Sequence, residues 1–202
     1  MELDQTTNLL AKIGNSDAPV AEPICKQKPF EVIAPKDQTI PLVFASPHSG
    51  RAYPADFVEA SRLTPIMLRR SEDSFVDELF SEAPTFGAPL LKANFPRAYV
   101  DPNREAYELD PTMFEDQLPD FVNTNSIKVS AGLGTVAKVV TNGEEIYKEK
   151  LQFAEIKSRV ESSYFPYHAA LRKLINATRA RFGICIFIDP LSLFISIHTC
   201  CG

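Results

Sequence analysis

The chain has 202 residues, 45% hydrophobic and 23% charged, a size and composition that suit one soluble globular domain with a sizeable core. A net charge of −5, with acids and bases interleaved and no basic face, speaks against nucleic acid as a partner. No apolar run is long enough to span a bilayer, the acidic start "MELDQTTNLL" is unlike a secretory signal, and four cysteines without a Cys-x-x-Cys pair suit reduced thiols in the cytoplasm.

Residues 1–29 are polar, carry Pro19, Pro23 and Pro29, and read as a loosely ordered N-terminal arm before a single domain over 30–202. "FEVIAP" alternates like a strand, and the apolar "PLVFASP" reads as a strand buried on both faces that stops by Ser46, because Pro47 cannot donate to a ladder. Leu68, Phe75, Val76, Leu79 and Phe80 recur at helical spacing, with Ser71 placed to cap the second of two helices and Glu72 and Asp73 in its first turn. Gly87 closes that unit, "APLLKANF" reads as a strand, and Glu105 to Asp120 reads as a long loop. "SIKVSAGLGTVAKVV" reads as a strand, a Gly-Leu-Gly turn and a second strand. The stretch from Gly143 to Gly183 is the longest helical region, divided at Pro166 and capped by Gly183. With the apolar strand "ICIFID", the order β–α–β–β–α–β predicts an α/β fold with a mixed β-sheet flanked by helices.

Three clusters could carry chemistry. His48 lies where a loop leaves the carboxyl end of a strand, the usual ligand position of open α/β sheets. Glu72 and Asp73 are adjacent acids. With His48 they suit zinc, which takes imidazole nitrogen and carboxylate oxygen; they also suit plain complementation of a helix dipole. "RAYVDPNR" offers Arg97, Asn103 and Arg104 as donors for an anion, or Arg97 for polarising a carbonyl, with Asp101 able to orient one arginine in an internal ion-pair knot. His168, among aromatics, reads as a satisfied packing residue.

The words "SPHSGRAYP", "LRRSEDSFVDELF", "GAPLLKANFPRAYVDPNREAYELDP", "GLGT" and "YFPYHAAL", in this order, resemble the N-formylglutamate amidohydrolase family from Pro41 to Asp189. The resemblance implies a zinc carboxypeptidase/aspartoacylase-like (phosphorylase/hydrolase-like) fold and hydrolysis of a small anionic N-acyl amino acid, N-formyl-L-glutamate, to formate and L-glutamate in histidine breakdown. It implies one zinc ion held by His48 and Asp73, with Glu72 the lesser choice, and a substrate clamp of Arg97, Asn103 and Arg104 in which Arg97 also acts on the scissile carbonyl. After Asp189 the family continues Asp-Cys-His-Ser, whereas Pro190 and Leu191 stand here. The implied third ligand and general base are therefore missing, His198 is not expected to replace them, and the domain is expected to be C-terminally truncated or frame-altered.

Overall fold

The computed structural model describes residues 28–190 and, as backbone alone, 195–200. The arm read over residues 1–29 lies almost wholly outside the described residues. Five strands, β1 (Phe30–Ile33), β2 (Leu42–Ser46), β3 (Leu90–Ala93), β4 (Cys185–Pro190) and β5 (Ile195–Cys200), form one sheet in the order β1-β3-β2-β4-β5. The inner strands β3, β2 and β4 run parallel, and β1 and β5 pair antiparallel at the two edges. The fold is thus mixed α/β with an open mixed sheet. β2 ends at Ser46, as the proline that follows requires.

The helices are α1 (Ala55–Ala60), α2 (Pro65–Leu68), α3 (Val76–Leu79), α4 (Ile127–Ser130), α5 (Phe153–Arg159) and α6 (Phe165–Phe182). Helix α6 lies on one sheet face, where Tyr167 joins Ala45, Leu91, Ala93 and Phe95 in a core. On the other face Phe80 packs on Phe44, ring centroids 5.4 Å apart. A second core gathers Phe57, Leu68, Ile146 and Ile156, largely from irregular segments between β3 and α6. Its centre is cationic: the buried Arg159 guanidinium sits 4.5 Å from the Tyr99 ring centroid and donates to Tyr147 Oη at 2.7 Å. Tyr99 and Tyr164 touch both cores and join them.

Three expectations need correction. "SIKVS" is helical, because Ser126 accepts the Val129 amide at 3.0 Å and caps α4; alternating Ile127 and Val129 mimicked a strand, although Ile127 is exposed. Among the described residues 135–141 the expected second strand does not form, Val139 making only an isolated pair with Glu145, so the element order is β–β–α–β–α–β–β. Pro166 does not divide the long helix: a π turn (Val160–Tyr164) runs into α6 and takes up the missing donor. Gly183 closes α6 at φ 78°, its amide on Arg179 O at 2.8 Å.

Leu91, fully buried in β3, should cost about 2–5 kcal/mol when replaced by alanine. Exposed Ile127→Ala should cost less than about 0.5 kcal/mol. Urea denaturation of both variants checks this layering, and similar losses would contradict it.

Candidate active site

The three parallel strands deliver their carboxyl ends to one edge of the sheet. β2 passes into "SPHSG", where the Ser46 and Ser49 hydroxyls share a hydrogen bond of 2.7 Å and hold the turn around His48. Gly50 must lack a side chain, since a Cβ there would lie 2.1 Å from Phe95 O; the loop after β2 is pressed against the chain leaving β3. The Ala52 amide, donating to Asn94 O at 2.9 Å, fastens the same two segments. β3 leads on to Arg97 and Asp101, and β4 ends at Asp189 and Pro190.

His48 is buried between two carboxylates. Its Nδ1 lies 3.1 Å from Asp73 Oδ2 and its Nε2 lies 2.8 Å from Asp101 Oδ1. Asp101 Oδ1 also accepts the Asn103 amide at 2.9 Å, while Oδ2 accepts Arg97 Nε at 3.0 Å and lies 3.9 Å from an Arg104 Nη. Burial opposes charge on the ring, yet the charge and hydrogen bond of Asp101 and the hydrogen bond of Asp73 outweigh it, leaving the His48 pKa raised against a smaller opposing effect of Arg97. Burial likewise disfavours the Asp101 anion, but His48, Arg97 and Arg104 together hold its carboxyl well below the usual carboxylate range.

Asp73 is where the sequence reading needs most revision. Ser71 ends a 3-10 turn (Arg69–Ser71) instead of capping a helix, and Glu72 and Asp73 lie in the extended break before α3. The Asp73 amide donates to His48 O at 3.0 Å, which withdraws it from any helix; Asp77 and Glu78 occupy the first turn of α3. Glu72 turns away from His48 and accepts Tyr53 Oη at 2.8 Å and Arg69 Nε at 3.2 Å.

The arginines and the asparagine separate by environment. Arg104 is taken up in bracing: Nε donates to Leu133 O at 2.8 Å and Nη1 to Asn103 O at 2.9 Å. Asn103 Nδ2 donates to Asp189 Oδ2 at 2.7 Å, which ties the loop after β3 to the end of β4. Among the described residues the Nη atoms of Arg97 make no hydrogen bond, and Arg97 is one of the residues lining a cavity of ≈ 310 Å³. His168 donates from Nε2 to Pro102 O at 2.9 Å and stacks on Tyr164, so it packs and holds the same loop. Asp101 orients Arg97, as the sequence allowed, but its grip on His48 and the Asn103–Asp189 tie escaped the sequence reading. Asp101 stood in a recognised charged word, but nothing in its spacing pointed to His48.

A loop brace supports Asp73. Phe75 adopts φ 67°, ψ 4°, a left-handed conformation that side chains resist, and Arg51 lies 5.1 Å from its ring centroid. Arg51 also pairs with Asp77 at 3.0 Å and Glu78 at 2.9 Å, linking the His48 loop to the Asp73 segment.

The donor set fits a metal in part. With Nε2–H held by Asp101, a metal would take the place of the proton that Nδ1 shares with Asp73 Oδ2, and the carboxylate on Nε2 is the partner that orients an imidazole ligand. Among the described residues, no group of three or more His, Cys, Asp or Glu could hold an ion. The register sets His198 opposite Phe187, itself opposite Val43, five positions before His48 along the sheet.

Comparison with known proteins points to one family. A family model for N-formylglutamate amidohydrolase matches residues 40–195, continuing past Asp189. The chain is 26% identical over 160 residues to an N-formylglutamate deformylase of Pseudomonas putida, covering 76% of this chain and 52% of that protein. It is also similar to the crystal structure of an N-formylglutamate amidohydrolase from Ralstonia eutropha JMP134, with a TM-score of 0.74 and 38% identity. That likeness covers 81% of this chain and 57% of the other, so the chain spans about half the length of the relatives it matches.

The strain at Phe75 has a measurable sign. Phe75→Gly should be more stable than Phe75→Ala by about 1 kcal/mol, the reverse of the usual order, because both lose the ring and only glycine relieves the left-handed cost. Equal or inverted unfolding midpoints would contradict it.

Proposed function

The chain belongs to the N-formylglutamate amidohydrolase family, and we propose that its site hydrolyses N-formyl-L-glutamate to formate and L-glutamate, as a zinc-dependent step of histidine breakdown in the cytoplasm. The observation that carries this is the continuous chain Asp73–His48–Asp101–Arg97 at the carboxyl edge of three parallel strands, its first three members buried and Arg97 half-buried beside a cavity. The zinc carboxypeptidase-like ancestry implied by the sequence words is part of this proposal.

His48 Nδ1 and Asp73 Oδ2 are the atoms that would hold the metal. Such an ion supplies a water of lowered pKa and Lewis acidity at a carbonyl. The chain's own residues do the positioning. Asp101 fixes the ring through Nε2 and also aims Arg97, whose Nη groups meet negative charge on the substrate, whether a carboxylate or the oxygen of the attacked formyl group. Asn103 and Arg104 hold the loop in place through Asp189, Leu133 O and the Asn103 carbonyl. In the balanced reaction, water oxygen bonds to the formyl carbon, the C–N bond breaks, and the amine of glutamate takes up a proton.

One observation favours a second reading, a non-catalytic member of the family: the described residues provide two metal donors where a catalytic zinc uses three protein ligands. A zinc amidase for another N-acyl amino acid lies within the first reading and is separated by a substrate panel.

Release of formate from N-formylglutamate and N-formylaspartate, and of acetate from N-acetylaspartate, with zinc and after chelation, tests the proposal. N-formylglutamate should be preferred, chelation and His48→Ala should reduce release to background, and Asp101→Asn should lower it about 10- to 100-fold. No formate above background from the zinc-loaded chain would favour the non-catalytic reading.

A further inference from the structure

We infer that the exposed aromatic cluster beside the outer face of α6 seats a second copy of this chain, with Asp120 and Phe121 of each protomer entering its partner's groove along Phe165, Arg172 and Lys173.

Exposed apolar side chains are informative where they cluster. Phe121 is 65% exposed and Phe165 45% exposed, and neither joins one of the two cores. Tyr107 links them, its ring centroid 5.3 Å from that of Phe121 and 6.3 Å from that of Phe165, and Phe153 lies 6.0 Å from Phe121. The local chain puts both phenylalanines outside. A turn closed by the Val122 amide on Pro119 O at 3.0 Å buries Val122 and leaves Phe121 outward. In α6, Tyr167, Leu171 and Leu174 face the sheet core, so helical spacing sets Phe165, Ala169, Arg172 and Asn176 along the opposite stripe. That stripe, with His168 and Lys173 at its sides, lines a surface groove of ≈ 550 Å³.

Charge selects the occupant. Among the described residues Arg172 and Lys173 make no ion pair, and neither does Asp120, which is exposed beside Phe121. The protruding ring therefore carries an acid, the groove carries two cations, and Tyr107 joins both into one surface. Such a surface is self-complementary. A two-fold axis near Tyr107 sets each Phe121 in the opposite groove and makes both charge pairs at once. A foreign acidic peptide would satisfy the groove but leave Phe121 in water. Rings of this kind lose few rotamers on burial, which suits them to an interface. Pairing would also cover the back of the active-site loop, since His168 holds Pro102 O at 2.9 Å and Tyr164, whose ring centroid is 5.6 Å from that of Phe165, holds Arg104 O at 2.7 Å.

The test is analytical ultracentrifugation of the full chain from micromolar to millimolar concentration. A reversible monomer–dimer equilibrium is expected, which Phe121→Ala should weaken about tenfold or more with the far-ultraviolet circular dichroism unchanged. Asp120→Lys alone, and Arg172→Glu combined with Lys173→Glu, should each give monomers. Mixing those two variants should restore a dimer, because both of its charge pairs are then of opposite sign. This rescue also shows that the variants are folded. A dimer indifferent to Phe121→Ala, or mixed variants that stay monomeric while the unaltered chain pairs, would overturn the inference. So would a chain that is monomeric at every concentration, which would leave the groove to a different protein.

Discussion

The site depends on one carboxylate. Asp101 accepts from His48 on one oxygen and from Arg97 on the other, while its own amide reaches Thr135 and the Asn103 amide reaches back to it. A buried anion is costly unless its lone pairs are met, and here the compensation comes from separate pieces of chain. Removing that charge would leave a buried imidazole and a guanidinium without their common partner, which makes the geometry an all-or-nothing arrangement of loops.

The fold makes the arrangement possible because β3, β2 and β4 run parallel and adjacent. Their carboxyl ends supply Arg97 and Asp101, His48, and Asp189 respectively, so groups distant in sequence meet within hydrogen-bond distance. The loops are then held from outside: Gly50 against Phe95, Arg51 against Phe75 and α3, His168 against Pro102, Arg104 against Leu133. The strained Phe75 lies in the segment that carries Asp73, and such local cost persists only where the surroundings over-determine it.

The central strands were legible because an apolar run bounded by proline has few alternatives, and "PLVFASP" became β2 with the end its Pro47 demanded. His48 could be placed at a strand's carboxyl end for the same reason. Local pattern failed where a single side-chain bond decided the outcome. Ser126 capping turned an alternating "SIKV" into helix, and the Asp73 amide binding His48 O kept Glu72 and Asp73 out of a helix that their charges suited. The partnership of His48 with Asp101 spans 53 positions and depends on strand order, which periodicity does not encode. Residue chemistry had already set His48 beside Glu72 and Asp73 and marked the "DPNR" loop; the family words added the preference for Asp73 and a substrate, and the family itself is matched over residues 40–195.

The central claim is that Asp101 couples the histidine and the arginine. The most direct measurement is NMR of the His48 ring nitrogens and the Arg97 Nε–H in the metal-free chain, compared with Asp101→Asn and Asp73→Asn. The coupling requires that Asp101→Asn move both sets of signals and that Asp73→Asn move the His48 ring while leaving Arg97 in place. Arg97 signals indifferent to Asp101→Asn would contradict it, because the guanidinium would then be held by something other than the carboxylate that holds the imidazole.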